Sequence, residues 1–99
     1  MNIDTVPDKN AVELLREARH NAWRVGEFKT IHVTFDFMLR LEACEDFETI
    51  VSVPFSKLPI IEKYPPDLFG FPYVVHNEPC PDEFWFEDQY QRKLVYIQH

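Results

Sequence analysis

The stretch LFGFPYVVHNEPCPDEFWF, residues 68–86, decides how the chain is read. Gly70 and Pro72 open it, Tyr73, Val74 and Val75 form an apolar run, and Pro79 and Pro81 stand in a polar turn before Phe84, Trp85 and Phe86. Two short β-rich segments separated by prolines and acidic residues read as strand, turn and strand, a prolyl-turned hairpin. Pro72 lacks an amide donor, which places it at an edge or a bulge. Side chains alternate along a strand, so Phe84 and Phe86 point one way and Trp85 the other. Trp85 is then either covered by the N-terminal helix or exposed as an interface anchor.

Upstream, PDKNAVELLREARHNAWRVGE reads as a helix. Asn10 stands where an N-cap would, Glu13 completes a capping box, and Gly26 can end the helix in a left-handed turn. Ala11, Leu14, Leu15, Ala18, Ala22 and Val25 recur at three- and four-residue spacing, with Arg16, Glu17, Arg19 and His20 largely opposite. That pattern makes an amphipathic helix with one face covering a core. KTIHVTFD follows with period two, Ile31, Val33 and Phe35 against His32 and Thr34, as in a half-buried strand. Asp36 reads as the cap of a short second helix, FMLRLEACEDF, with Phe37, Met38, Leu41 and Cys44 toward the core. ETIVSVPF reads as another strand ended by Pro54, SKLPIIEKYPPD as a prolyl loop or arm, and KLVYIQ as a last strand. The expected fold is α+β: an N-terminal amphipathic helix and a short second helix packed on a small, mostly antiparallel sheet of four to five strands. Residues 1–99 make a single domain, burying roughly 65% of the surface that the unfolded chain exposes.

With 45% apolar and 15% aromatic residues the chain lies outside the disordered regime. Eight prolines against two glycines favour rigid connections. The net charge is −7. Residues 1–30 hold five basic and five acidic groups, so the excess falls on residues 31–99, with five basic and twelve acidic. Such a surface repels phosphate backbones, which argues against direct nucleic-acid binding and allows a basic protein partner. Two cysteines make no disulfide framework and no leader opens the sequence, so the expected compartment is reducing and cytoplasmic. No apolar run reaches the roughly 18 residues of a membrane span.

Catalytic and metal signals are weak in kind. His76 and Cys80 lack zinc-ligand spacing, and further ligands would have to come from His32, Cys44 or His99, so no metal or other cofactor is expected. Nothing marks Cys44 or Cys80 as an activated thiolate, and the carboxylates of CEDFE and PDEFWFED read as charge beside apolar strands. No phosphate loop, nucleophile elbow or metal-binding helix is present. The chain therefore reads as a non-enzyme, with Cys80 or His76 as the groups an enzymatic reading would use. The aromatic C-terminal third is the expected partner-binding region: Tyr64, Phe71, Tyr73, Glu83, Trp85, Glu87 and Asp88.

The segment LFGFPYVVHNEPCPDEFWFEDQYQRKLVYI resembles the C-terminal pattern of tailed-phage major capsid proteins, in which a Gly-x-Pro-apolar strand runs through a prolyl turn to a strand with an acidic residue and then a last apolar strand. Gly70, Pro72, Val74, Val75, Pro79, Phe86 and Asp88 fall on those positions, and TIHVTFDFMLRLEAC is similar to the strand and helix before them. The long backbone helix and extended loop with which capsid subunits tile a shell have no counterpart in this sequence. The resemblance thus implies a small phage-encoded structural or accessory protein, acting by protein contacts in the host cytoplasm or the virion and open to homo-oligomerisation. The alternative, drawn from the acidic surface, is a phage-encoded inhibitor that blocks a basic nucleic-acid-binding groove of a host or defence protein.

Overall fold

The computed structural model describes residues 10–53 and 65–94. Along them run α1 (Ala11–Val25), β1 (Thr30–Thr34), α2 (Phe35–Glu42), a 3-10 turn (Phe47–Ile50), β2 (Tyr73–His76) and β3 (Phe84–Glu87). Both helices cover one face of the sheet, giving a two-layer α+β fold.

Three strands form the sheet among the described residues, in the order β2-β1-β3. β1 is central, parallel to β2 and antiparallel to β3. This corrects the hairpin expected over residues 68–86: β2 and β3 do not pair with each other, because β1 lies between them. The mostly antiparallel sheet is likewise a mixed one. A parallel pair needs a crossover, and α2 with the segment after it provides it. The last expected strand touches the described residues through Lys93, which bridges Glu87, and Leu94, whose amide donates to the Phe86 carbonyl; residues 95–99 lie outside them.

Local chemistry explains each element. The side chain of Asn10 accepts from the Glu13 amide at 2.8 Å and starts α1. Ala11, Val12, Leu15, Ala18 and Ala22 are buried, whereas Val25, expected on that face, is exposed. Gly26 has φ −178° and ψ 164°, so the helix ends in extended backbone rather than the expected left-handed turn. The cap of α2 is Thr34 instead of Asp36: its hydroxyl accepts from the Phe37 amide at 3.2 Å, so the last residue of the strand starts the helix. Phe35 consequently leaves the strand alternation and is exposed. The strand expected over ETIVSVPF is replaced at its start by the 3-10 turn, because Phe47 and Ile50, three residues apart, both reach the core in a helical turn. Its Pro54 lies outside the described residues, as does most of the expected prolyl arm.

The core is aromatic at one end. Phe28 is fully buried and its ring centroid lies 4.5 Å from that of Phe71 and 4.8 Å from that of Phe86, with Trp23 edge-on at 5.2 Å. Phe37 meets Phe84 at 4.8 Å at the other end. Before β2 the chain reverses at Phe69 (φ 53°) and Gly70 (φ 80°), closed by reciprocal bonds between Leu68 and Phe71. Asp67 accepts from the Gly70 amide, and the Phe69 amide donates to the Ile50 carbonyl, so this turn fastens the crossover to the 3-10 segment.

Candidate functional site

Ile31 and Val33 turn toward the helices, so Thr30, His32 and Thr34 belong to the other face. Register carries that face outward in both directions. His32 is opposite Val74 on β2 and Trp85 on β3, Thr34 is opposite His76, and Thr30 is opposite Glu87. Two histidines 44 residues apart thereby meet beside a tryptophan and a carboxylate.

The geometry of this group is specific. His32 Nδ1 lies 2.8 Å from His76 Nε2. The ring centroids are 5.1 Å apart, close to the nitrogen separation plus about 1.1 Å of ring radius on each side, so the nitrogens face each other in line. Such a contact holds one proton between two rings. Two nitrogens aimed at each other do not converge on a common ion, and among the described residues no group of three or more His, Cys, Asp or Glu could hold a metal. The other nitrogen of His32, Nε2, is buried and lies 3.2 Å from Glu87 Oε2, off the axis of a regular hydrogen bond. Which of the two facing nitrogens donates is set by the tautomers of the rings.

Trp85 completes the group. Its ring stacks on His32 at 5.0 Å with an interplanar angle of 4°, and lies 4.8 Å from His76. Lys93 Nζ is 5.9 Å from the indole centroid, and the same ammonium pairs with Asp82. Trp85 is therefore half-buried by two imidazoles, on the face away from the N-terminal helix. Val74 beside it is 43% exposed. Next to His76, the loop from β2 to β3 borders a hollow of about 370 Å3, to which Asp36, Glu78, Cys80 and Glu83 also contribute. The Cys80 thiol donates to the Glu78 carbonyl at 3.4 Å, and Arg40 pairs with Glu83 at 2.7 Å.

The residues expected to bind a partner are divided by the sheet. Trp85 and Glu87 share the helix-free face. Phe71 packs on Phe28, and Tyr73 turns to the core side with its hydroxyl donating to the Pro65 carbonyl at 2.6 Å. Glu83 sits at one end with Arg40, and Asp88 at the other, where it accepts from the amides of Tyr90 and Arg92. Those amides and the Arg92 guanidinium hold the Asp88 carboxyl below its ordinary range. Tyr64 lies outside the described residues. Sequence spacing associates His32 with His76 only as candidate members of a zinc set that it argues against. What would have joined them is the strand-helix-strand order, which calls for a parallel pair, combined with residue parity.

Compared with known proteins, the chain matches no family model, no curated protein and no solved structure. Among the described residues no helix is long and apolar enough to cross a membrane.

Proposed function

We propose that this chain is a non-catalytic protein-binding module that docks through the helix-free face of its sheet, with Trp85 as the anchor. The observation that carries this reading is the half-buried indole stacked flat on His32, with His76 tilted against it, beside exposed Val74. A rigid aromatic with a polar surround is the usual centre of an interface. The reading fits the small phage-type structural or accessory protein implied by the resemblance, at work in the host cytoplasm or the virion. Affinity capture from the cells that make the protein tests it. A protein retained by the native chain and by Trp23→Ala, but lost with Trp85→Ala, is the expected result, and equal retention by all three refutes the reading.

A second reading has its own observation. Asp36, Glu78 and Glu83 border one hollow, and Glu83 is paired with Arg40. This suits an acidic inhibitor that occupies the basic nucleic-acid groove of a host or defence protein. Its complex would weaken steeply with salt. Capture unchanged between 50 mM and 500 mM salt, both about the range over which surface charge is screened, excludes it.

A further inference from the structure

The in-line contact between His32 and His76 does more than pack two rings, because its bond depends on how many protons the pair carries. With both rings neutral, one of the two facing nitrogens donates its hydrogen to the lone pair of the other. One added proton leaves the bond in place, now with a charged donor, which makes it stronger. A second added proton puts a hydrogen on each of the two facing nitrogens. No acceptor remains between them, and two cations stand with ring centroids 5.1 Å apart.

We propose that the His32–His76 pair is a proton-operated latch on the docking face: up to one extra proton keeps His76 against His32 and Trp85, and the second drives the rings apart and dismantles the platform. This rests on the docking reading above and adds its regulation.

The surroundings set the sense of the latch. Glu87 faces His32 from β3, with Oε2 3.2 Å from Nε2. Lys93 lies over Trp85 on the same face, but its ammonium is paired with Asp82. Beyond His76, Asp36, Glu78 and Glu83 border the shared hollow, and Glu83 is engaged by Arg40. Carboxylates thus stand on both sides of the pair, while the facing rings leave a second proton without an acceptor. Imidazole is the side chain whose charge changes nearest neutral pH, which makes a pair of facing imidazoles the natural place for such a latch. Trp85 is the reporter, since its ring touches both histidines.

The test uses the full chain carrying Trp23→Phe, so that emission comes from Trp85 alone. Fluorescence is followed from pH 8 to pH 4.5, with far-ultraviolet circular dichroism at each point to exclude unfolding, for that chain and for the same chain with His76→Gln or His32→Gln. Two separate steps are expected in the parent, and one step in either variant. If a variant does not fold, the imidazole nitrogen resonances of the native chain give the same information. Independent single titrations of His32 and His76, or a parent curve identical to that of His76→Gln, overturn the latch. Where a Trp85-dependent partner has been captured, its release should track the second step. Coupled titration without any such partner keeps the latch and removes the docking reading. A partner bound through Trp85 with uncoupled titration does the reverse.

Discussion

His32 and Trp85 face each other across β1 and β3 as register partners, and their rings stack almost parallel, 5.0 Å apart. The pairing joins a polar position of the central strand to an aromatic position of an outer one. It also places the indole on the face away from the core, so that its proposed role in binding can be tested apart from stability.

Replacing Trp85 with Ala should therefore leave the two helices intact while removing the proposed docking platform. Part of the indole is already in water, so the loss of stability should be about 1–2 kcal/mol, less than for a fully buried aromatic. Urea unfolding with circular dichroism measures it. A loss of all cooperative structure would show that the sheet itself depends on this ring.

Phe28 is the opposite case. It is fully buried between Phe71 and Phe86 and meets Trp23 edge-on. Phe28→Ala should cost about 3–5 kcal/mol, enough to unfold a small domain in a large fraction of molecules. Thermal unfolding of the variant against the native chain checks this.

Gly70 tests the turn before β2. Its φ of 80° is costly for any residue with a Cβ, yet apart from its chain neighbours no atom stands within 4 Å of where that Cβ would lie. Gly70→Ala should thus cost about 1–2 kcal/mol through the backbone alone, with no repacking of the core. A much larger loss in denaturant would point to a steric contact that the structure does not contain.

Two carboxylates should move stability with pH in opposite senses. Backbone donors and Arg92 hold Asp88 below its ordinary range, so its contribution is present above the unfolded carboxylate value and is lost as pH falls through the lowered one. Asp88→Asn should be less stable than the native chain at pH 7, with the two converging in acid. Burial raises Glu42, so the folded state favours its protonated form; that advantage is present below the unfolded value and lost as pH rises through the raised one. Glu42→Gln should be more stable than the native chain at pH 7. Melting temperatures of both variants at pH 3 and pH 7, roughly below and above the ordinary carboxylate range, decide the two signs.

The helices were the legible part of the sequence. Asn10 with Glu13 marks the start of α1, and Phe37, Met38 and Leu41 show the buried side of α2. These signals are local, with cap and face written within a few residues. The strands themselves were also legible, since β1, β2 and β3 all fall in segments of strand composition. Their arrangement was not. Strand, prolyl turn and strand look alike whether the two strands pair or flank a third, and here Ile31 and Val33 take the central place through burial on both helices. The turn of Phe47–Ile50 was misleading for a related reason: its β-branched residues favour strand locally, but three-residue spacing carries its apolar side chains to the core. The candidate site inherits the same limit. Each of His32, His76, Trp85 and Glu87 is visible alone, and only the register brings them together.

The central position of β1 also governs when the molecule can take shape during its synthesis. Both neighbours of β1 are made long after it, and the sheet stays incomplete until Glu87 has been added. At ordinary elongation speeds the ribosome needs on the order of several seconds to cover that interval. Throughout it, Ile31 and Val33 can be sheltered only by α1 and α2, the contacts nearest in sequence. High contact order then makes sheet closure the slow event, and the nascent chain passes through a helical, strand-unpaired stage that chaperones would meet.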